Sequence, residues 1–207
     1  MMKNADIKIR PFRREDFDQV NGVLTEAFSG KIGSLLDTDC SEAAELMLET
    51  GFFCRNPVDG YFVAETEGNI AGVILLKFPG QMREDSDFRL MPVFRRYGLV
   101  RALKFAAGAL LLEESAKAGE CYIEYIAVNT DFRGLGIGSA LLEYAMNYAA
   151  GKGFSWLTLC AASSNPAINL YLRSGFIQKK EIRSLLTYLF FGLDKWIYMA
   201  KSTDKQS

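Results

Sequence analysis

Apolar residues recur along the chain with two periods, and their order predicts strands mixed with helices. Short apolar or alternating runs predict seven strands, over residues 7–10, 61–66, 70–78, 122–128, 154–161, 182–188 and 196–200. Apolar residues at helical spacing predict five helices, over residues 14–28, 42–49, 93–117, 140–150 and 167–173. Elements that mix in this order indicate an α/β (α+β) fold, in a single domain that covers residues 1–207.

Glycines and small polar residues are expected to divide these elements. Gly30 and Gly33 are predicted to break the first helix. Ser41 is predicted to be the N-cap of the second helix. In the long third helix, Gly98 and Gly108 are the positions at which the helix would kink or divide.

The stretch 79–120 fits this pattern least well. Its first part is polar and irregular, and its second part is a predicted helix with four basic residues near its start, Arg95, Arg96, Arg101 and Lys104. A charge cluster of this kind is most often a solvated face, with a lid or a partner surface as the alternatives. The tail, residues 201–207, is polar and is predicted to fray.

Composition and charge narrow the classes of partner. With 207 residues, of which 49% are hydrophobic and 24% charged, the chain can bury a sizeable core. Its net charge of -1 gives no support to a nucleic-acid or acidic-membrane partner. No apolar run has the length of a membrane span, and the N-terminus does not read as a signal peptide. These features predict a cytoplasmic protein with no nucleic-acid partner and no membrane partner.

The residue types that are present limit the chemistry. The chain has no histidine, which excludes Ser-His-Asp triads, Cys-His pairs and His-ligated zinc. Its cysteines have no Cys-x-x-Cys spacing, so neither a zinc site nor a redox pair is indicated; they are Cys40, Cys54, Cys121 and Cys160. No metal is expected, and acid–base chemistry must use carboxylates, Tyr, Cys, Lys or water.

Residues 126–139 join an apolar strand to a helix through a turn with three alternate glycines. Such a turn presents backbone N–H groups at the positive end of a helix, which suits a phosphate group. Arg133 adds a permanent positive charge at the mouth of the turn. The turn is not a P-loop, because Gly138 is followed by Ser139 rather than by lysine. It also lacks the last glycine or alanine of the dinucleotide fingerprint, where this chain has Ser139 or Leu141.

The pattern that does fit is Arg-x-x-Gly-x-Gly, formed by Arg133, Gly136 and Gly138. About thirty residues later, residues 166–176 read Pro-Ala-Ile-Asn-Leu-Tyr-Leu-Arg-Ser-Gly-Phe. With these two motifs, the chain resembles the GCN5-related N-acetyltransferase (GNAT) superfamily. The resemblance implies a mixed, largely antiparallel sheet flanked by helices. The stretch 79–120 would be an extra helical insertion between the third and fourth strands.

The same resemblance implies a role for each motif. The CoA pyrophosphate would be held by the turn, Arg133, Gly134, Leu135, Gly136, Ile137, Gly138 and Ser139. The pantetheine arm and the thioester would meet the backbone of a strand that splays from its neighbour, Ile126, Ala127 and Val128. Tyr171 would protonate the departing thiolate, since a phenol with a pKa of about 10 can donate to a thiolate whose parent thiol titrates at about 8.5. A packed aromatic residue is the alternative for Tyr171.

Two positions depart from the family pattern. An asparagine that contacts pantetheine is often found three residues before the motif alanine, but this chain has Ser164 there, with Asn165 next to it. Either residue could make that contact. The carboxylate that many members carry on the strand before this segment is also missing, so the general base must come from elsewhere or be water.

Glu124 is the candidate for that base. It lies in the middle of a predicted strand, where a charge is costly unless it faces a cleft or a partner. A surface-facing glutamate on a half-exposed strand is the alternative. Tyr122 and Tyr125 would line the same cleft or belong to the core.

The resemblance implies transfer of an acetyl group from acetyl-CoA, as co-substrate, to a primary amine of a small molecule. The amine would attack directly in a ternary complex, without a metal. A protein N-terminus or lysine acceptor is one alternative and would favour an open groove over a closed pocket. A non-catalytic acyl-CoA-binding regulatory module is another. Acceptor choice is expected to depend on residues 79–120 and on a loop over 30–39, and the sequence leaves open whether the protein is a homodimer.

Overall fold

The computed structural model describes residues 7–81, 88–111 and 116–204, which form strands and helices in alternation. The strands are β1 (Lys8–Pro11), β2 (Tyr61–Thr66), β3 (Asn69–Lys77), β4 (Glu120–Val128), β5 (Trp156–Ala162), β6 (Ile177–Arg183) and β7 (Lys195–Ser202). The helices are α1 (Phe17–Leu36), α2 (Cys40–Glu49), α3 (Met91–Leu111), α4 (Ile137–Gly151), α5 (Ile168–Arg173) and α6 (Leu185–Phe191).

The strands form one sheet in the order β1-β2-β3-β4-β5-β7-β6. Every neighbouring pair is antiparallel except β4 and β5, which are parallel. This arrangement confirms the mixed, largely antiparallel sheet. Helix α3 lies between β3 and β4 in the chain, which confirms a helical insertion between the third and fourth strands. Parts of that insertion, residues 82–87 and 112–115, lie outside the described residues.

Apolar side chains form a core on each side of the sheet. On one side, α1, α2, α3 and α6 pack over the sheet through residues such as Leu24, Leu46 and Phe105. On the other side, α4 and α5 pack through residues such as Leu141 and Tyr171. Strand β3 is buried along seven consecutive residues because helices cover both of its faces. Within the described ranges, no helix is both long enough and apolar enough to cross a membrane.

The prediction that Gly30 and Gly33 break the first helix was wrong. Helix α1 continues through both and ends where Asp37 takes a left-handed conformation and its N–H bonds the carbonyl of Gly33. A side chain at Gly33 would come within 2.8 Å of the carbonyl oxygen of Thr38, so this glycine permits a close packing rather than a break. Most of the predicted 30–39 loop is therefore helix.

The N-cap of the second helix was also assigned to the wrong residue. Helix α2 begins at Cys40, and the carboxylate of Asp39 accepts hydrogen bonds from the N–H groups of Ser41 and Glu42, at 2.8 and 2.9 Å. The N-cap is therefore Asp39, two residues before the predicted Ser41.

The prediction of a strand over 182–188 was wrong, because most of these residues are helix. Strand β6 lies earlier, at Ile177–Arg183, and the leucine-rich segment after it is helix α6. Ser184 caps α6, since its Oγ accepts from the N–H of Thr187 at 3.2 Å, and Gly192 ends it with a φ of 69°. A run of leucines has good helix propensity, and it fits a helix once caps are present at both ends.

The long inserted helix is divided at only one of the two predicted glycines. Gly98 has a φ of 78° and interrupts α3, whereas Gly108 is regular helix. A side chain at Gly108 would come within 2.7 Å of Leu35 of α1, so this glycine lets two helices approach. At the C-terminus, β7 runs to Ser202 and pairs with β5, so the first two residues of the predicted frayed tail are strand.

Candidate active site

Strands β4 and β5 are paired at one end only. Their parallel register joins Glu120 to Trp156 and ends at the pair Tyr122 and Thr158, although both strands continue. Within the described sheet, Ile126, Ala127 and Val128 of β4 therefore pair with β3 but not with β5. The splay that the sequence implied is present, and it opens a cleft between the two strands.

A β-bulge places Glu124 at this cleft. In the β3–β4 register, Leu75 pairs with Tyr125 and Leu76 pairs with Ile123, so Glu124 is the extra residue on β4. A bulge redirects a side chain out of the regular alternation, and it also bends the strand. The carboxylate Oε2 of Glu124 lies 2.6 Å from Nζ of Lys77, on β3, and the two side chains are 19% and 15% exposed. Glu124 therefore faces the cleft and is not an exposed surface residue.

A cavity of about 710 Å³ lies at the cleft. It is lined by four of the sequence-predicted site residues: Glu124, Ile126, Asn165 and Tyr171. Tyr122 and Tyr125 line it as well. Its other walls come from α1, the segment after α2, the C-terminal end of α3, α6 and β7. They include Phe28, Lys31, Phe52, Phe53, Ala106, Ala109, Thr187 and Trp196. The cavity thus joins the splayed strands to the inserted helices.

Tyr171 lies on α5 and is 5% exposed. Its ring packs against Phe176 with 6.0 Å between the ring centroids, and it contributes to the core as well as to the cavity wall. Burial raises the pKa of Tyr171 to about 12. The phenol therefore remains protonated at neutral pH, and it can donate a proton but not accept one.

The two candidate pantetheine contacts differ in position. Asn165 lines the cavity, and its Oδ1 accepts from the N–H of Ala167 at 2.9 Å, which holds the turn before α5. Ser164 is exposed and lies outside the cavity lining. Of the pair, only Asn165 faces the space beside Tyr171.

The glycine turn follows β4 directly and leads into α4. Gly134 and Gly136 have φ values of 80° and 85°, and a side chain at either position would meet no other atom of the described residues within 4 Å. Glycine is favoured at these two positions because of their positive φ, and the surface above them is open. Gly138 differs, because a side chain there would come within 2.9 Å of Leu170 of α5.

Helix α4 begins at this turn with free donors. The first helical hydrogen bond runs from the N–H of Ala140 to the carbonyl of Gly136, which leaves the N–H groups of Ile137, Gly138 and Ser139 without acceptors in the helix. Arg133 is exposed beside them and has no carboxylate within 4 Å among the described residues. Three amides, a helix dipole and a guanidinium face one open surface, which can hold a phosphate group.

The last residues of β4 connect the cavity to the glycine turn. Ile126 lines the cavity, while Ala127 and Val128 continue β4 toward the turn and pair with Val73 and Gly72 of β3. Leu135 is half-buried and packs onto the core beneath α4. A single extended strand thus runs from Glu124 to the anion-binding turn.

Sequence reasoning missed the three cavity cations, Lys31, Arg55 and Lys77. Lys77 lies within the predicted strand over 70–78 and was not considered as a site residue. Lys31 was assigned to a loop, whereas it lies on α1 with its Nζ 5.2 Å from the ring centroid of Phe28 and 5.7 Å from that of Trp196. Burial lowers the pKa of Lys31 below its usual value. The spacing of three residues between Phe28 and Lys31 could have predicted this contact, since residues at that spacing are neighbours on a helix.

The basic residues that were singled out in the insertion do not line the cavity. Arg96 pairs with Glu45 and Glu49 of α2, at 2.9 and 3.6 Å, and Arg101 lies 3.9 Å from Asp37. They join the insertion to the acidic side of α1 and α2. The cavity is lined instead by the apolar C-terminal end of α3.

Comparisons with known proteins agree with this geometry. The sequence model of the acetyltransferase (GNAT) family matches residues 31–176. An N-alpha-acetyltransferase of Sulfurisphaera tokodaii is 28% identical over 145 residues, which are 68% of each chain. An uncharacterized N-acetyltransferase of Methanocaldococcus jannaschii is 40% identical over 65 residues, which are 31% of this chain but only 29% of that protein.

A solved structure gives the same fold. The crystal structure of an acetyltransferase superposes with a TM-score of 0.60 at 24% identity and covers 95% of this chain and 100% of its own. The family match extends over more than two thirds of the chain and includes the splayed strand, the glycine turn and Tyr171. The chain therefore belongs to the acetyltransferase (GNAT) family and is an N-acetyltransferase.

Proposed function

We propose that this protein transfers an acetyl group from acetyl-CoA to the primary amine of a small molecule that binds in the cavity. The observation that carries the proposal is that one cavity is lined by Tyr171, by the Glu124–Lys77 pair and by the splayed part of β4. An acid, a carboxylate and free backbone groups then face the same reacting atoms. These are the components that acyl transfer to an amine requires.

Acetyl-CoA fits the surface that runs from the turn to the cavity. In this proposal the residues 133–139 bind the pyrophosphate through the amides at the start of α4 and through Arg133. The unpaired edge of β4, at Ile126, Ala127 and Val128, bonds the pantetheine arm. The open space above Gly134 and Gly136 supports this orientation, because no side chain obstructs the approach. Asn165, rather than the exposed Ser164, meets the arm beside the cavity.

The chemistry follows from what each side chain can donate or accept. Glu124, or a water next to it, accepts the proton of the acceptor ammonium, and the neutral amine then attacks the thioester carbonyl. Backbone N–H groups of β4 stabilise the charge that develops on the carbonyl oxygen. As the carbon–sulfur bond breaks, Tyr171 donates its proton to the thiolate. Burial keeps the phenol protonated at neutral pH, so Tyr171 holds a proton to donate, although the raised pKa makes it a weaker acid than an exposed tyrosine.

The walls of the cavity favour a small acceptor. Helices α1, α3 and α6 contribute mostly apolar lining residues, and aromatic residues of other segments, such as Phe52, Phe53 and Trp196, complete the wall. Cavities that bind small molecules are typically about 300–1,000 Å³ and mostly apolar. A volume of about 710 Å³ can hold the acetylated end of the pantetheine arm together with a compact amine.

A protein N-terminus is the second candidate acceptor. The similarity to an N-alpha-acetyltransferase of Sulfurisphaera tokodaii, at 28% identity, supports it. A peptide acceptor would enter as an extended chain and would need an open groove, whereas helical side chains line the acceptor side of this cavity. We therefore rank the small amine first.

A thiol-release assay with acetyl-CoA tests the proposal. The substrates are a panel of small primary amines and a matched panel of short peptides with free N-termini. We expect turnover with small amines and little with peptides of any N-terminal residue. Turnover restricted to peptides would replace the small-amine proposal with the N-terminal one. CoA release that does not depend on any amine would contradict both.

A further inference from the structure

The charges that line the cavity are unbalanced. Among the described residues in the wall, three are cationic, Lys31, Arg55 and Lys77, and one is anionic, Glu124. Lys77 is neutralised by its ion pair with Glu124 at 2.6 Å. The end of acetyl-CoA that would enter the cavity carries no charge. The excess positive charge is therefore not matched by the co-substrate.

This balance leaves two cations, Arg55 and Lys31. Arg55 donates to the carbonyl of Leu48 at 3.0 Å, and its guanidinium lies 4.9 Å from the ring centroid of Phe17. Lys31 is the other cation. No carboxylate of the described residues lies within 4 Å of its Nζ. Its ammonium lies beside two aromatic rings, Phe28 at 5.2 Å and Trp196 at 5.7 Å from their centroids. Ring faces attract a cation, but they do not replace the hydration that it loses on burial as well as an anion does.

The surroundings of Lys31 are held in place. The indole N–H of Trp196 donates to Oγ1 of Thr187 at 3.0 Å, which orients the ring and ties β7 to α6. Phe28 precedes Lys31 by one helical turn on α1 and packs against Phe53 at 5.8 Å between ring centroids. A fixed ammonium in an apolar wall is preorganised to bind one singly charged anion.

We propose that Lys31 binds a carboxylate of the acceptor, so that the substrate is an amino acid-like molecule with its amine at Glu124 and its carboxylate at Lys31. This inference rests on the proposed small-amine function. Lys31, on α1, and Glu124, on β4, line the same cavity, so one substrate can contact both groups. The apolar body between them lies against the aromatic wall.

The test compares a charged acceptor with its uncharged counterpart, para-(aminomethyl)benzoate and its methyl ester. Wild-type protein should acetylate the acid with a kcat/KM about tenfold higher than that of the ester. Lys31→Met should remove this preference by raising the KM for the acid, while the KM for acetyl-CoA and the turnover of the ester remain unchanged. Lys31→Arg should keep part of the preference, and Lys104→Met, on α3 outside the cavity lining, should keep all of it.

Equal turnover of acid and ester by the wild type would overturn the inference and leave the small-amine function standing. An equal loss for both compounds in Lys31→Met would also overturn it. If neither compound is acetylated but peptides are, the small-amine function fails. In that case, binding of para-methylbenzoate, which has a carboxylate but no amine, tests whether Lys31 binds a carboxylate. It should raise the melting temperature of the wild type but not of Lys31→Met, and equal shifts in both proteins would refute the site.

Discussion

The carboxylate of Glu124 and the ammonium of Lys77 form an ion pair of 2.6 Å in the wall of the active-site cavity. The pair depends on the bulge in β4. Glu124 is the extra residue of this bulge, so its side chain does not follow the regular alternation of side chains between the two faces of the sheet. Lys77, at the end of β3, lies on the adjacent strand. The bulge thus places this ion pair beside the opening between β4 and β5.

Replacing Glu124 with glutamine tests its role as proton acceptor. Glu124→Gln keeps the size of the side chain but removes its basicity. We expect kcat to fall by about 10²-fold, with the KM for acetyl-CoA unchanged. Steady-state kinetics with the preferred amine measures the effect. Glu120→Gln, at the start of the same strand and outside the cavity, should be fully active; a Glu124→Gln protein as active as this control would leave water as the proton acceptor.

Tyr171 should act as an acid over the whole accessible pH range. Tyr171→Phe removes the proton that the thiolate receives, so kcat should fall by about 10²-fold while the protein remains folded. The phenol is protonated below its pKa of about 12, and activity that depends on it is lost only as pH rises through that value. The kcat profile of the wild type should therefore show no descending limb at about pH 10, where an ordinary phenol titrates. A limb there that disappears in Tyr171→Phe would contradict the raised pKa, whereas a Tyr171→Phe protein with unchanged kcat would contradict the role of Tyr171 as the acid.

The two ends of α4 provide a matched test of the glycine turn. Gly136 and Gly153 have φ values of 85° and 80°, and at both positions a Cβ would have no other atom of the described residues within 4 Å. Alanine at either position should cost about 1–2 kcal/mol in the free energy of unfolding. Only Gly136→Ala should weaken acetyl-CoA binding, by about tenfold. Isothermal titration calorimetry measures both affinities, and equal affinities would show that the turn does not bind the pyrophosphate.

The position of the acceptor can be tested on α3. Ala109 lines the cavity and Ala107, on the same helix, does not. Ala109→Trp should fill part of the acceptor space and raise the KM for the amine by at least about tenfold, with acetyl-CoA binding unchanged. Ala107→Trp should change neither value. If acetyl-CoA affinity falls in Ala109→Trp and the amine KM does not change, the acceptor binds elsewhere.

Much of the fold could be predicted from local patterns. Apart from the penultimate strand, the predicted strands match the structure to within two residues at each end, because their apolar runs are bounded by glycine, proline or polar residues. The turn before α4 and the order of its glycines were also clear, since positive φ at Gly134 and Gly136 requires that residue type. The motif residues around Tyr171 then indicated the family.

What could not be predicted depends on contacts between distant segments. The bulge at Glu124 is a property of the β3–β4 register, and no local pattern shows that Lys77 is its partner. The helical state of residues 30–36 depends on packing at Gly33 and on the cap at Asp37. Because the end of α1 was taken for a loop, Lys31 was not recognised as a cavity residue.

The most direct test of the central claim is identification of the acetylated product. Wild-type protein is incubated with isotopically labelled acetyl-CoA and a mixture of small amines and peptides, and the products are identified by mass spectrometry. We predict that the label is found on the primary amine of a small molecule, and that Tyr171→Phe forms this product more slowly. Label found only on peptide N-termini or lysines, or no transfer to any amine, would contradict the claim.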